Sequence, residues 1–404
     1  MKKTNEKIIF EPIILGSYIG AYSIARSFHE EYNVKSTLFS STESWVTKNS
    51  KIVNTIISSD LKGDKLLGAL IEYGKTRPNV KKIIFTCAEW NTELILKNKE
   101  ILEKYYIIPS IDYDLFQKLA NKESFYEVCD KLSIDYPKTI LVTKDNYKTI
   151  DIGFSYPIIM KASSTDKYIN CNFPNKKKIY VLENKEEYLY YSNEIYNNGY
   201  NDTLIVQKFI EGEDSNIRAI TCYCNKNSDV VFSCLAQGVI EEKAPLAIGN
   251  YPVMITRIDE DILNQAKKFL KHVKYTGFAN FDLKYDNNNK FYFLEINPRL
   301  PRSSYVITGS GYNYTKYVID EYIYNKTPMN EVVVDNEHLY TYVPFYCVNK
   351  YVKDRVLVKE VKELIRNKKY SVPYFYDKDK NIKTYIYGYL ALFKQILKFR
   401  KYYK

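Results

Sequence analysis

Residues 277–304 read GFANFDLKYDNNNKFYFLEINPRLPRSS, and this stretch decides how the rest of the chain is interpreted. Two aromatic-rich segments flank the polar run 286–289, which is typical of a turn, so the pattern predicts a β-hairpin. Glu295 and Asn297 are two residues apart and project from the same face. If the register places Asp282 beside them, two carboxylates and an amide oxygen meet, a ligand set that suits Mg²⁺. An ordinary hairpin with a solvated acidic rim is the alternative.

The length and composition indicate a globular protein of two or three domains. The chain has 404 residues, of which 45% are hydrophobic and 26% charged. Its seven cysteines form no Cys-x-x-Cys pair and its three histidines complete no zinc cluster, so we expect reduced thiols. Glu11 and Pro12 interrupt the apolar N-terminal segment, which we interpret as a strand rather than a signal peptide. No run approaches the roughly 20 apolar residues that span a bilayer. We expect a cytoplasmic protein.

The net charge of +11 is compatible with a nucleic-acid or anionic-surface binder, but it is partly local. Residues 381–404 contain six lysines and arginines and no acidic residue. Because no motif that reads RNA or DNA occurs, we expect no nucleic-acid partner.

The C-terminal tail predicts a helix with an apolar and a basic face. These faces are formed by Ile386, Leu390, Phe393 and Leu397 and by Lys394, Lys398 and Lys401. Such a helix can lie on an anionic membrane surface, or it can pack its apolar face on the protein. We favour the second arrangement.

Through about residue 110, strand-like and helical segments alternate. The apolar segment 8–16 precedes a helix over 17–34, for which Ser17 is the predicted N-cap. Further strands are predicted at 36–40, 52–57 and 82–87. This alternation predicts a small, doubly wound parallel sheet. Since ligands of such sheets bind outside the carboxyl ends of the strands, 16–18 and 87–90 are either a substrate wall or structural turns.

Two lysines upstream of the hairpin are candidates for phosphate binding. Lys122 lies between two predicted helical segments, where ordinary surface charge is the alternative. Lys161 closes a predicted strand, 157–161, before a loop of small polar residues. The ammonium and the N–H groups of such a loop can together hold a phosphate, although the Walker A pattern is absent.

The next segments suit a nucleotide base and a covering loop. A predicted strand at 204–207 leads to an edge, 207–210, against which a base commonly lies. Asp214, with Glu213 beside it, could accept hydrogen bonds from ribose hydroxyls. The segment 241–255 contains Pro245, Gly249 and Asn250 and is predicted to be a mobile loop over the substrate. Strand 230–238 and helices 259–273 and 313–326 are also predicted, whereas 327–380 is irregular, with short strand-like pieces at 332–334 and 340–344.

In this order, these pieces resemble the ATP-grasp superfamily of carboxylate–amine ligases, and the chain looks most like the D-aspartate ligases of peptidoglycan synthesis. The resemblance covers the whole chain. The matching stretches are PIILGSYIGAYSIARSF, IDYDLFQKLANKESFYEVC, FIEGEDSNIRAI, AIGNY, KYTGFANFDLKYD and EINPRLPRSS. Around Arg299, the chain departs from the expected pattern at Pro298 and at Leu300-Pro301, so the amino-acid substrate is the least secure implication of the resemblance.

The resemblance implies an α/β and α+β architecture. A doubly wound parallel domain over 1–110 would precede an ATP-grasp domain over 111–330, whose antiparallel subdomains are 138–206 and 207–330. A C-terminal segment, 331–404, would end in the basic helical tail. The implied cofactors are ATP and Mg²⁺, with Mn²⁺ as an alternative metal.

The resemblance also assigns roles to individual residues. The ATP phosphates would be contacted by Lys122 and Lys161, and the ribose by Asp214. The adenine edge would be formed by Gln207, Lys208, Phe209 and Ile210. The implied metal ligands are Asp282, Glu295 and Asn297. Arg299 would face the transferring phosphoryl group, Arg218 or Arg302 would clamp a substrate carboxylate, and Asn250 would be a further contact.

The implied reaction converts a carboxylate into an acyl phosphate, which an amine then attacks. The expected substrates are D-aspartate, through its β-carboxylate, and the lysine side-chain amine of a peptidoglycan-precursor peptide. The basic tail would then hold the enzyme near the inner face of the membrane. An ATP-grasp ligase of another amino acid or small amine, or a nucleotide-binding module without catalysis, are the alternatives.

Overall fold

The computed structural model describes residues 9–245 and 247–403. The chain begins with five parallel strands, β1 (Phe10–Leu15), β2 (Ser36–Ser40), β3 (Val53–Ile57), β4 (Lys81–Thr86) and β5 (Tyr106–Ile107). The helices between them are α1 (Ile19–Tyr32), α2 (Trp45–Lys48), α3 (Gly63–Lys75), α4 (Glu89–Lys97) and α5 (Lys99–Leu102). The strand order is β3-β2-β1-β4-β5, so β2 and β3 lie on one side of β1 and β4 and β5 lie on the other. This confirms the predicted doubly wound sheet.

Strand β1 is buried on both faces, as expected for a parallel sheet covered by helices. Ile13 and Leu15 pack in one core cluster, while Phe10 and Ile14 pack in another. Residue 8, the predicted start of this strand, and the preceding part of the N-terminal segment lie outside the described residues.

The prediction that Ser17 caps the first helix is wrong. The cap position is occupied by Tyr18, which makes no side-chain cap bond. The Ser17 hydroxyl instead donates to the Thr42 carbonyl at 2.6 Å. This bond ties the loop after β1 to the loop after β2, so both lie at the carboxyl edge of the sheet.

Two helices, α6 (Tyr113–Ala120) and α7 (Lys122–Leu132), lead into a four-stranded antiparallel sheet. Its strands are β6 (Thr139–Val142), β7 (Ile158–Ala162), β8 (Tyr180–Leu182) and β9 (Leu204–Lys208), in the order β6-β9-β7-β8. The accompanying helices are α8 (Thr165–Ile169) and α9 (Lys185–Asn197). Met160, Tyr188 and Val206 lie in a core cluster of this part of the chain.

An eight-stranded, mostly antiparallel sheet follows. Its strands are β10 (Ile217–Cys224), β11 (Val230–Ile240), β12 (Val253–Arg257), β13 (Gly277–Tyr285), β14 (Phe291–Asn297), β15 (Val332–Val333), β16 (Leu339–Thr341) and β17 (Tyr370–Ser371). The order is β14-β13-β10-β11-β12-β16-β17, with β15 parallel to β11. Helices α10 (Glu260–His272), α11 (Tyr305–Gly309) and α12 (Thr315–Tyr322) accompany it. The predicted loop 241–255 is shorter than expected, because residues 253–255 belong to β12.

The strand-like pieces predicted at 332–334 and 340–344 overlap β15 and β16, but the prediction that the rest of 327–380 is irregular is wrong. Besides β15–β17, this segment forms helices α13 (Phe345–Tyr351) and α14 (Arg355–Arg366). The apolar face of α14, Leu357, Val358, Val361 and Leu364, is buried. Because β15–β17 extend the eight-stranded sheet, the predicted boundary at 330/331 cuts through this sheet, and the division into domains stays a prediction.

The C-terminal tail forms helix α15 (Ile382–Tyr402), but it does not pack as we favoured. Its buried residues are Thr384, Gly388 and Phe399. The predicted apolar face is exposed, at 54% for Ile386, 47% for Leu390, 57% for Phe393 and 48% for Leu397. Among residues 9–245 and 247–403, no helix is long and apolar enough to cross a membrane.

Candidate active site

The hairpin β13–β14 brings the three predicted metal ligands together. Asp282 lies directly opposite Glu295, with a register shift immediately after Asp282. Two residues further along β14, the Asn297 side-chain amide donates to Asp282 at 3.0 Å. Two carboxylates and an amide therefore lie on one face of the hairpin, a set of hard oxygen donors that fits Mg²⁺.

The two carboxylates have opposite pKa shifts. Burial raises the pKa of Asp282 to about 7, and the nearby charge of Glu295 adds to the rise. The Lys122 ammonium holds the pKa of Glu295 well below its usual range, with a further contribution from Lys161. The site thus carries one firmly ionised carboxylate and one that readily takes a proton. A divalent cation would favour the ionised form of both.

Two lysines from different elements meet at Glu295. Lys122 is the first residue of α7, whose N-cap Asn121 accepts from the Ser124 N–H at 3.0 Å. The Lys122 ammonium lies 2.6 Å from the Glu295 carboxylate, and the ammonium of Lys161, on β7, lies 3.4 Å from it. Both predicted phosphate-binding lysines therefore contact the same oxygen, Oε2, of the Glu295 carboxylate. Phosphate oxygens would compete with this carboxylate for the two ammonium groups.

A cavity of about 390 Å³ lies between the two antiparallel sheets, and this charged cluster forms part of its wall. Lys208, Phe209 and Ile210 also line it. Strand pairing by β9 ends at Lys208, so the backbone of the next two residues is not part of the sheet. The Lys284 ammonium lies 5.0 Å from the centre of the Phe209 ring. This wall has the apolar surface and unpaired backbone that a nucleotide base requires.

Gln207, the first residue of the predicted adenine edge, also borders the cavity, but its side-chain amide is already bonded. The amide donates to the Tyr126 hydroxyl at 2.6 Å and to the Thr139 hydroxyl at 2.9 Å. The side chain is only 4% exposed. Gln207 therefore fixes the position of β9 against α7 and β6.

Asp214 lines the opposite end of the cavity and has three partners. It accepts from the Lys243 ammonium at 2.5 Å, from the Glu241 N–H at 3.0 Å and from the Tyr403 hydroxyl at 2.9 Å. Tyr403 also donates to the Glu241 carbonyl at 2.5 Å. The C-terminal end of the described chain is thus in direct contact with the predicted ribose carboxylate.

Arg299 lies between two cavities. It borders the large cavity and a second, of about 40 Å³, that is also lined by Thr86 and Ser110 of the N-terminal part of the chain. Its guanidinium donates to the Asn297 side-chain oxygen at 3.0 Å. Its buried Nε has no hydrogen-bond partner among the residues that the structure describes. Arg299 is therefore held beside the predicted metal ligands with a donor still free.

The structure does not bring Arg218 into the cavity. Along β10, Arg218 pairs with Leu283 whereas Ala219 pairs with Asp282, so Arg218 and Asp282 project from opposite faces of the sheet. The Arg218 guanidinium donates to the carbonyls of Ser215 and Ile217. Burial lowers its pKa to about 10.

Arg302 and Asn250 are also absent from the cavity wall. Arg302 is exposed, and its Cα lies 3.3 Å from the position that a Cβ on Gly20 would occupy. It therefore lies at the junction with α1. The Asn250 side chain donates to the Ala247 carbonyl at 2.7 Å and so stabilises its own loop.

Several residues of the cavity were not predicted. The additional charged residues are Lys178, Glu241 and Lys284, while Lys243 and Tyr403 contact the cavity residue Asp214. The Lys178 N–H donates to the Pro245 carbonyl at 3.1 Å, which attaches the loop after β11 to the four-stranded sheet. Lys178 and Glu241 lie in loops, where no local pattern identifies them. Lys284 lies on β13 two residues after Asp282, so strand alternation alone places both side chains on one face.

Comparison with known proteins agrees with this geometry. Residues 201–317 match the family described as carbamoyl-phosphate synthase L chain, ATP binding domain. Among solved structures, the L-amino acid ligase from Bacillus licheniformis aligns with a TM-score of 0.58 at 15% identity, covering 80% of this chain and 76% of that one. The biotin carboxylase domain of 2-oxoglutarate carboxylase from Hydrogenobacter thermophilus, solved with MgADP, aligns with a TM-score of 0.61 at 16% identity, covering 80% and 72%.

A full-length relative extends this agreement from the fold to the family. D-aspartate ligase of Enterococcus faecium (strain Aus0004) is 34% identical over 417 residues, which covers 100% of this chain and 99% of the relative. The match includes the N-terminal sheet, both antiparallel sheets and helix α15. The chain therefore belongs to the D-aspartate ligase family and is an ATP-dependent carboxylate–amine ligase with an ATP-grasp fold.

Proposed function

We propose that this ligase activates the β-carboxylate of D-aspartate as an acyl phosphate and joins it to the lysine side-chain amine of a peptidoglycan-precursor peptide. The full-length similarity to a D-aspartate ligase supports the choice of amino acid. The observation that carries the chemistry is the convergence of Lys122, Lys161, Asp282 and Glu295 at one wall of the large cavity.

In this proposal ATP occupies the large cavity. Lys208, Phe209 and Ile210 lie along the adenine, Asp214 accepts from the ribose, and the two lysines hold phosphate oxygens. Asp282, Glu295 and Asn297 would hold Mg²⁺, or Mn²⁺ in its place, which when bound neutralises charge on the β- and γ-phosphates. The fit rests on three oxygen donors on one hairpin face.

The reaction then needs positioning and charge neutralisation rather than a protein nucleophile. A carboxylate oxygen of the amino acid attacks the γ-phosphorus as the bond from that phosphorus to ADP breaks. The lysine amine attacks the resulting acyl carbon, loses a proton, and phosphate leaves. Arg299 has a free donor beside this point and would stabilise the charge that develops there. The loop after β11, attached to Lys178, would exclude water that otherwise hydrolyses the acyl phosphate.

A ligase of another amino acid or small amine is the second candidate. It is favoured by Pro298, which lines both cavities next to Arg299 and departs from the expected pattern. A nucleotide-binding module without catalysis fits less well, because the carboxylates and both lysines are present. We place the enzyme in the cytoplasm, where ATP and the precursor peptide are available, and in peripheral contact with the inner face of the membrane.

The test is ADP release by the purified full-length chain with D-Asp, L-Asp, D-Glu or L-Glu, each with a lysine-containing muropeptide. We expect release to depend on both D-Asp and the peptide, and mass spectrometry to find aspartate on the lysine side chain. If a different acid drives ADP release, that acid and not D-aspartate is the substrate. If ATP binds but no acid in the panel yields ADP, the proposed function is wrong.

A further inference from the structure

Helix α15 has two faces with different surroundings. The inner face packs on the protein near α2 and α13. There, a Cβ added at Gly388 would lie 2.5 Å from the Phe375 ring, and Phe399 is only 2% exposed. The outer face, by which we mean Ile382, Ile386, Tyr389, Leu390, Phe393 and Leu397, is between 47% and 80% exposed at every position. The helix is therefore held firmly while an apolar surface is turned outward.

The outer face is a continuous stripe rather than a set of isolated residues. Its six members, from Ile382 to Leu397, lie on one side of the 21-residue helix and extend over about 22 Å of its length. Soluble monomers rarely expose an apolar patch of this extent without a partner. The stripe therefore requires an occupant.

The charges around the stripe indicate which occupant. No acidic residue occurs in α15. Its exposed cations, which form no ion pair with a described residue, are Lys383, Lys394, Arg400 and Lys401. The remaining cation, Lys398, pairs with Glu242 of the protein body. Unpaired cations beside an apolar stripe are the arrangement of helices that lie in the interface of an anionic membrane, where lysines extend to the headgroups.

We propose that the outer face of α15 binds an anionic lipid surface, with the helix axis parallel to the membrane. A second copy of the chain is disfavoured, because a two-fold contact through this face would bring the cations of both helices together. Insertion across the bilayer is disfavoured by the charge content of the helix and by the inner-face packing. The lipid contact does not depend on which amino acid is ligated, and only its benefit for a membrane-linked peptide substrate rests on the proposed function.

The test uses the full chain and sedimentation with two kinds of vesicle. One is phosphatidylcholine alone, and the other contains phosphatidylglycerol in addition. Two variants, Leu390→Asp and Phe393→Asp, place a carboxylate on the outer face, and two others, Lys394→Gln and Lys401→Gln, each remove one charge. Val356→Asp is the matched control, because Val356 is a 77% exposed apolar residue on a different helix, α14.

We expect wild type to bind the anionic vesicles at least about tenfold more strongly than the neutral ones. Each aspartate variant should lower the partition coefficient by about tenfold or more, and each glutamine variant by about fivefold. Val356→Asp should bind like wild type. Circular dichroism and ATP binding without vesicles should be unchanged in all variants, since the substituted positions are exposed.

Equal binding to both vesicles, or no effect of the outer-face variants, would overturn the proposal. A wild-type dimer in sedimentation equilibrium that Leu390→Asp converts to a monomer would identify a second copy as the occupant instead. Because vesicle binding is measured without substrates, its outcome is separate from that of the ADP-release assay.

Discussion

Lys122 Nζ lies 2.6 Å from Glu295 Oε2, although the two residues are 173 positions apart in the chain. The pair joins the first turn of α7 to the second strand of the hairpin. The Lys122 ammonium holds the pKa of Glu295 well below its usual range, so this carboxylate stays ionised, the form that can hold a cation. Binding of metal and ATP would then exchange partners, the carboxylate taking the metal and the ammonium taking a phosphate oxygen.

The first prediction concerns the charge of Glu295. Glu295→Gln keeps the shape of the side chain but removes the anion that both lysines contact and that would hold the metal. We expect ADP release to fall about 100-fold or more, since a charge at the transferring phosphoryl group is lost. Glu211→Gln is the control, because Glu211 is an exposed carboxylate whose one bond to a described side chain is from Asn287 at 3.2 Å. If ADP release by Glu295→Gln stays near that of wild type, the metal assignment is wrong.

The second prediction concerns the contact of Tyr403 with Asp214. Tyr403→Phe removes the hydroxyl that holds the carboxylate, while the ring keeps its stacking on Phe399, with centres 5.0 Å apart. Loss of such a hydrogen bond is worth about 1 kcal/mol, so we expect the KM for ATP to rise roughly fivefold with kcat nearly unchanged. Tyr402→Phe is the matched control, because the exposed Tyr402 hydroxyl makes no such bond within 9–245 and 247–403. A fall in kcat at constant KM would instead point to a role in the chemical step.

Local patterns in the sequence were sufficient for the centre of the site. The turn residues 286–289 and the alternation on either side of them predict the hairpin, and the structure places Asp282 opposite Glu295 as required. Arg218 shows the limit of this reasoning. Which face of β10 it occupies depends on the register with β13, and no local pattern in β10 determines that register.

The parts that could not be predicted depend on contacts between distant residues. Tyr403 reaches Asp214 across 189 positions, and strand β17 is too short to show alternation. For α15, the apolar periodicity predicts which residues share a face, but not whether that face packs on the protein or is exposed. The inner face is selected by close packing of Gly388 on Phe375, which a hydrophobicity pattern does not register. By contrast, Leu357, Val358, Val361 and Leu364 recur at helical spacing, so the sequence does carry a local signal for α14.

The third prediction concerns Gly277, the first residue of the hairpin. Its φ is +86°, and it forms a β-bridge with Ser110 at the end of the N-terminal part. A Cβ there would lie 3.0 Å from the Ser110 Cα and would overlap the Pro109 carbonyl oxygen. Because moving these backbone atoms costs free energy, we expect Gly277→Ala to destabilise the protein by about 3 kcal/mol.

Gly68→Ala is the control for this substitution. Gly68 is exposed within α3, and a Cβ there would have nothing within 4 Å. Alanine should therefore stabilise the helix by roughly 0.5–1 kcal/mol. Thermal unfolding of both variants measures the difference. Similar midpoints for Gly277→Ala and wild type would show that the bridge to Ser110 is not tightly packed in solution.

The fourth prediction concerns the pH dependence of stability. His338 is 7% exposed, its Nε2 lies 2.9 Å from the Ser371 hydroxyl, and burial lowers its pKa to about 4. The unfolded chain takes up a proton at this histidine below about pH 6.5, whereas the folded protein resists protonation. The stability that depends on neutral His338 is therefore complete above pH 6.5 and is lost as the pH falls towards 4.

His338→Gln removes this titration, so we compare the free energy of unfolding of variant and wild type across the pH range. Between about pH 8 and pH 4, wild type should lose about 3 kcal/mol more than the variant. His272→Gln, at the exposed end of α10, should follow wild type throughout. If the free energies of unfolding of wild type and His338→Gln change equally with pH, protonation of the buried imidazole does not destabilise the folded protein. The contact between β16 and β17 would then have to open readily in acid, because His338 and Ser371 join these strands.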